Sequence, residues 1–412
     1  MLERLIENAR HQFDLTDQAS QYRLYQLVDR LLASDISATR IKQAATTAPL
    51  EFRLADKLVD SRHYLQTVSR PLKIAVVFAM WGEHNRLRPR SETNPNGEDA
   101  LRVKLTQLAW ATAETPIEWT VYAVDDGDPH HSGQIAEQIA ATHPLRQQVK
   151  VLYLADAVPT DTGPLAGLAS ADDSRKGGAI TLGCMKAIAD GADAIVYTDA
   201  DNSVHLGQLG LLLRPFLEDG MQVVLGNRKH PEAVLVKQEG RWGIGIKLLR
   251  HMQRMVGQPI FSLGIRDTQA AFKLYDSRLL AGIIANPTVY DFSFDTDWMM
   301  AALVNKAPLT TVPFAFIDSA AESASIAQGP MSTWETLLQG LKAAVRQHGL
   351  QHDQEMAQVL DQEISSAADL DLLIDRLPPQ LADVSDAQLG DREVMSPSEV
   401  QAWIRQCKAD AV

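Results

Sequence analysis

Between residues 71 and 330, short apolar runs alternate with stretches of helical periodicity, and no other feature restricts the fold as much. The apolar runs are Leu72–Met80, Trp119–Val124, Val149–Leu154, Ala194–Thr198, Val223–Gly226 and Thr311–Phe316. Helical patterns lie at 100–113, 132–141, 178–190, 207–218, 243–256 and 295–305. Such alternation predicts an α/β domain: a mainly parallel sheet flanked by helices. Ligand sites in these sheets lie beyond the carboxyl ends of the strands.

The flanks differ. Residues 1–70 lack strand patterns; Thr16 is placed to cap a run carrying Leu24, Tyr25, Val28, Leu31 and Leu32 at helical spacing. Residues 331–412 are again helical, with capping boxes at Ser332–Glu335 and Ser396–Glu399 and Pro397 at the first helical position of the second. Three segments are therefore expected: 1–70, 71–330 and 331–412. The terminal apolar stripes need a surface to bury, and an interface in a homo-oligomer is one candidate.

Composition removes several functional classes. The net charge of −13 disfavours nucleic acid or an anionic membrane as a bulk partner. Residues 351–412 hold 13 Asp/Glu against 4 Lys/Arg, nine of those thirteen charges. No apolar run approaches the ~20 residues of a membrane span. The first residues show no signal-peptide pattern, and Cys184 and Cys407 lack metal-site spacing. A cytoplasmic location is the expectation.

Chemistry concentrates where strands end. Ile195-Val-Tyr-Thr-Asp199-Ala-Asp201 is a buried-strand pattern that stops at two carboxylates. Side chains at i and i+2 of extended chain point the same way, so Asp199 and Asp201 can converge on one hard cation. In isolation an Asp-x-Asp is more often a solvated turn. Val124-Asp125-Asp126-Gly127 ends an earlier strand and could accept hydrogen bonds from a base imino group or ribose hydroxyls; a plain acidic turn is the competing reading. Ser174-Arg175-Lys176-Gly177-Gly178 opens a helix, with two cations suited to a diphosphate and glycines that admit close backbone approach. Further on come Gly226-Asn-Arg228, Asp267 to Tyr275, and Phe294-Asp295-Thr-Asp297-Trp298.

In this order the motifs resemble glycosyltransferase family 2, most closely its dolichyl-phosphate-mannose-synthase-like branch. The counterparts are Asp125/Asp126; Lys176 to Ala179; Asp199/Asp201 with Ser203 and His205; Gly226 to Arg228; Asp267 to Tyr275; and Phe294 to Asp297. The resemblance implies a GT-A fold and inverting transfer of a sugar from a nucleotide-diphosphate sugar to an acceptor it does not identify. It implies that Ala79, Asp125, Asp126, Arg175, Lys176, Gly177, Asp199 and Arg228 bind the donor. Asp199 and Asp201 would hold a divalent cation, Mn2+ or Mg2+. Asp297 would be the base, with Asp295 in reserve, and Asp267, Lys273 and Trp298 would lie on the acceptor side.

The chain also departs from the family. A long loop, Trp81 to Ser91, precedes Asn96-Gly-Glu98, and after Val312-Pro313 the expected Arg and Lys are absent around Asp318, Ser319 and Glu322 to Ala324. These cations would bind phosphate, and the membrane-spanning tail of many relatives is missing. One helix could compensate: Lys247, Arg250, His251 and Arg254 share a face, either solvated or a surface for an anionic acceptor. Gly82 to Pro89 faintly echoes the loop of sugar nucleotidyltransferases, with His84 in place of a glycine. The remaining alternative is a non-catalytic nucleotide-sugar-binding or scaffold protein.

Overall fold

The computed structural model describes residues 1–237, 243–287, 289–318 and 330–411. Its contacts divide into two compact units. Unit 1 comprises Met1–Lys237, Gln269–Pro287 and Ala307–Ala321; unit 2 comprises Gln238–Thr268, Thr288–Lys306 and Glu322–Val412.

Unit 1 is built on a mixed, mainly parallel seven-stranded sheet flanked by helices. Its strands are β1 (Leu72–Met80), β2 (Ile117–Asp125), β3 (Val149–Tyr153), β4 (Ala194–Thr198), β5 (Val223–Asn227), β7 (Phe272–Asp276) and β8 (Leu309–Pro313). They lie in the order β3-β2-β1-β4-β7-β5-β8. The central strands are apolar on both faces because helices cover both, as in β1, where Lys73 is the one exposed residue. Met80 pairs with Asp125 across β1 and β2, so these two strands end level.

Two features escape the apolar pattern. Strand β7 enters antiparallel between β4 and β5. It carries a lysine, yet Lys273 is fully buried and its Nζ donates to Tyr197 Oη at 2.9 Å. The run expected at Thr311–Phe316 is two strands. Pro313 has no N–H to donate, and past it the chain leaves β8 to form β9 (Ala315–Ile317), which pairs with β6 (Val234–Val236) in a second small sheet.

The N-terminal helices belong to unit 1. Leu24, Val28 and Leu31 of helix Gln18–Leu32 join Phe52 and Leu58 of helix Leu50–Leu65 in one cluster with Val234, Ala315 and Ile317. The cap of the first of these helices is Asp17, whose carboxylate accepts from Ser20 N at 2.8 Å, rather than Thr16. Ser61 Oγ donates to Gly207 O at 2.6 Å and accepts from Gly210 N at 2.8 Å. A Cβ on Gly210 would fall 2.3 Å from Ser61 O, so only glycine permits this approach.

Unit 2 is helical, with Ile246–Val256, Phe294–Val304, Pro330–Gln347, Gln354–Glu363 and Pro397–Ala409 as its main elements. The Ser396–Glu399 capping box is present, whereas Ser332 lies inside a helix that starts at Pro330. Three of the four residues on the basic face of Ile246–Val256 are engaged within the protein, while Arg250 stays half-exposed. Lys247 Nζ donates to Ala382 O, and Arg254 donates to both the carbonyl and the carboxylate of Asp386. His251 accepts from Gly390 N through Nδ1 at 3.0 Å, which leaves Nε2 to donate to Met395 O at 2.8 Å. Gly390 has φ +92°, and a Cβ there would fall 2.5 Å from Arg254 Cβ. Acidic tail and basic helix thus satisfy one another.

Arg254→Ala should destabilise unit 2 by about 1.5–3 kcal/mol, the range for hydrogen bonds to charged groups. Urea denaturation would measure this, and limited proteolysis should show new cleavage within 382–395. Wild-type stability and an intact tail would mean that the contact contributes nothing.

Candidate functional site

The carboxyl ends of β1, β2 and β4 converge in unit 1, and adjacent aspartates at the end of β2 take different roles. Asp125 is consumed by backbone. Its Oδ1 accepts from Gly127 N at 3.0 Å and Asp128 N at 2.9 Å, and its Oδ2 from Gly133 N at 2.7 Å. It shapes the turn into helix Ser132–Thr142. Asp126 is tied differently: its N–H donates to Met80 O at 3.0 Å and its Oδ2 accepts from Lys176 N at 2.6 Å. Its Oδ1 is buried with no hydrogen-bond partner among the described residues. Burial pushes the Asp126 carboxyl up to about 6, against the lowering influence of Ser174 and the Lys176 amide.

Lys176 sits at φ +78°, unfavourable for a residue with a Cβ, immediately before helix Gly177–Ala189. While its amide reaches Asp126, its ammonium hydrogen-bonds Asp199 Oδ1. Burial alone would raise the Asp199 carboxyl, but Lys176, then Arg228 and Lys104, hold it below the ordinary range. Arg228 follows β5, with its guanidinium 5.0 Å over the Phe316 ring. Arg175 is exposed and donates to the carbonyls of Asp172 and Ser174 at 2.7 and 2.8 Å. Gly177 begins the helix, and Ala79 on β1 pairs with Val124.

Asp201 Oδ1 accepts from Ser203 N at 3.0 Å. Asp199 and Asp201 are both partly exposed hard-oxygen donors, the class that divalent Mg2+ or Mn2+ prefers. Among the described residues no group of three or more His, Cys, Asp or Glu meets at one point. The described residues of the protein would therefore supply two carboxylates, leaving the other positions to water or a diphosphate. The Lys176 ammonium already stands against Asp199 as a cation, so the donor set suits a positive charge. His205, which the family motif pairs with the aspartates, is fully buried near Tyr25 and Trp110, its ring centroid 5.7 and 6.2 Å from theirs. Burial depresses it to about 3, and its Nδ1 accepts from Gly207 N. It is a packing residue.

Lys104 escaped the sequence reading, whereas Glu98, Arg86 and Glu83 entered it only as parts of loop motifs. Lys104 is fully buried, its ammonium bonded to Asp201 O, and Asn202 N donates to Glu98 Oε2 at 2.8 Å. One signal was readable: Leu101, Lys104, Leu105 and Leu108 share a helix face, which puts a lysine among core leucines. Arg86 is committed to Glu83 at 2.9 Å and Glu98 at 3.3 Å. The arginine that echoes a nucleotidyltransferase loop is thus used internally.

In unit 2, Asp295 and Asp297 lie in the first turn of helix Phe294–Val304, both 5% exposed. Asp297 Oδ1 is 2.8 Å from His348 Nε2, a partner just past the end of helix Pro330–Gln347 that sequence spacing could not reveal. Burial raises the Asp297 carboxyl and His348 opposes that rise. Trp298 is buried with its ring edge-on to Phe294, and Asp267 is also buried. Lys273, expected on the acceptor side, lies inside the sheet of unit 1 beside Tyr197.

No family model matches the chain, and no curated protein matches it either. Among solved structures it is similar to mannosyl-3-phosphoglycerate synthase from Rubrobacter xylanophilus, with 16% identity over 71% of this chain and 78% of that one, at a TM-score of 0.47. It is also similar to glucosyl-3-phosphoglycerate synthase from Mycobacterium tuberculosis in complex with Mn2+, UDP and glucosyl-3-phosphoglycerate, with 13% identity, 71% and 85% coverage, and a TM-score of 0.44. At these levels of similarity, an assignment of function has to come from the chain's own residues.

Proposed function

We propose that the chain is a glycosyltransferase of GT-A type, akin to family 2, that takes a sugar from a nucleotide-diphosphate donor. The observation that carries this reading is the pair of bonds made by Lys176, amide to Asp126 and ammonium to Asp199. An acidic group for a nucleoside, a cation at a helix start and a metal-type carboxylate are thereby joined at strand ends of one sheet. A purely structural role needs no such set.

In this reading Asp126 accepts a hydrogen bond from the nucleoside, relieving the unpartnered Oδ1. Lys176, Arg175, Arg228 and the Gly177 amide bind the diphosphate. Asp199 and Asp201 would hold Mg2+ or Mn2+, which when bound stabilises the leaving nucleotide as a Lewis acid. Asp297 takes the acceptor hydroxyl proton, with Asp295 in reserve, and the sugar is transferred with inversion. Histidine 348 would orient the Asp297 carboxylate.

Thermal-shift measurements with UDP-, GDP-, ADP- and dTDP-sugars, with and without Mn2+, should identify a stabilising donor. Asp201→Asn should then weaken donor binding in Mn2+ while leaving the fold intact. Equal binding by the variant, and in EDTA, would sink the metal role and favour a metal-free binding protein.

A second outcome follows from Asp126. With its carboxyl at about 6, it is ionised above that pH and protonated below, so an N–H or O–H of the nucleoside is accepted best above it. Donor affinity should therefore fall as pH drops through 6, and Asp126→Asn should abolish that inflection. An inflection that persists in the variant belongs to another group.

For Asp297→Asn, transfer should drop by about 10²–10⁴-fold, the usual contribution of a positioned base. Donor binding and thermal stability should be kept, since the amide oxygen still meets His348. Transfer within a few-fold of wild type would remove Asp297 as base and point to an acceptor that is already anionic.

A further inference from the structure

We propose that Lys104 and Glu98 are positioning residues that hold the Asp199–Asn202 loop open for a divalent cation, an inference that rests on the glycosyltransferase reading above. They grip that loop by its backbone from below. Lys104 projects from helix Ala100–Ala111, is fully buried, and donates to the carbonyl of Asp201. The next residue, Asn202, is held twice: its N–H donates to Glu98 Oε2 at 2.8 Å and its side-chain amide to Glu98 O at 2.9 Å.

The carboxylates of Asp199 and Asp201 stand outside these hydrogen bonds, although both feel the charge of Lys104. Asp199 Oδ1 meets Lys176, and Asp201 Oδ1 meets the Ser203 amide. Backbone is fixed while both side chains stay partly exposed. Two carboxylates one residue apart repel each other, and a loop left free would relax by turning one away. Outer partners that fix ligand orientation are what set metal affinity in such sites.

The chemistry of the clamp is costly for a purely structural device. Burying an ammonium costs several kcal/mol unless it is paired, and a hydrocarbon side chain would pack against the Phe78 ring, now 5.8 Å from Nζ, without that cost. Burial disfavours the Lys104 charge, Asp201 and then Glu98 oppose that, and Glu98 is shared with Arg86, which also holds Glu83. Two carboxyls, a guanidinium and an ammonium thus offset one another in part beneath the loop. The bond to a carbonyl, which a hydrocarbon cannot make, ties that balance to the Asp-x-Asp backbone.

The test uses full-length protein and two probes, Mn2+ alone and Mn2+ with inorganic pyrophosphate, with binding read by electron paramagnetic resonance. Lys104→Met and Glu98→Ala should lower Mn2+ affinity by about 10–100-fold, as loss of an outer-shell partner does. Amide hydrogen exchange at Asn202 and Ser203 should accelerate in both variants, while global unfolding stays cooperative. Glu98→Gln keeps an oxygen for the Asn202 amide and should restore Mn2+ affinity to within a few-fold of wild type. Should Lys104→Met not fold, the two Glu98 variants decide the matter on the same readouts. Wild-type Mn2+ affinity and exchange in the folded variants would overturn the proposal while sparing the reading beneath it. Absence of Mn2+ binding by the wild-type protein would overturn both.

Discussion

Lys176 joins two strand-end carboxylates, Asp126 and Asp199, that lie more than seventy residues apart in sequence. Its amide fastens the Asp126 carboxylate at the end of β2, and its ammonium fastens Asp199 at the end of β4. The cost is a backbone at φ +78°, a conformation that stores strain in any residue with a Cβ. The structure around it supplies the compensation: Asp126 is also bound to the end of β1 through Met80 O, and the helix begins at the next residue. The mouth of the sheet therefore behaves as a unit. Moving the lysine toward a diphosphate would release Asp199 and leave the backbone tie to Asp126 in place.

Charge is managed in layers beneath that mouth. Asp125 looks equivalent to Asp126 in sequence, yet its oxygens are satisfied by three backbone amides while its neighbour keeps one oxygen without a partner. Below the Asp-x-Asp loop, Glu83, Arg86, Glu98 and Lys104 form a second tier, and burial pushes the Glu83 carboxyl up to about 7 despite Arg86. Both tiers use residues contributed by loops and helix starts, which explains why the long segment after β1 departs from a simpler strand-to-turn pattern.

How much of this was readable depended on the range of the cause. Strand periodicity and strand-end acids are local, and β1 and β4 match their apolar runs residue for residue. Ser396 and Pro397 likewise announce a helix start that the structure contains. What stayed hidden was set by distant partners. Strand β7 lies off the apolar pattern because it carries Lys273, an acceptor-side expectation that is instead buried against Tyr197. The basic face of Ile246–Val256 looked free because its acceptors lie more than 130 residues later, at Ala382, Asp386 and Met395. Spacing finds a charged face easily and says nothing about who covers it. The same holds for His348 at Asp297 and for Lys104 under Asp201.

The split of the last apolar run at Pro313 has a consequence for the N-terminal helices. One continuous segment supplies the edge strand of the main sheet and then, two residues later, the strand against which those helices pack. The helical layer is thus no appendage. Stripping it away would uncover Val234, Ala315 and Ile317 on a two-stranded ribbon too small to stand alone in water. Apolar side chains uncovered in this way are a surface for sticking to other chains. The first seventy residues act, in this sense, as a built-in guard against aggregation.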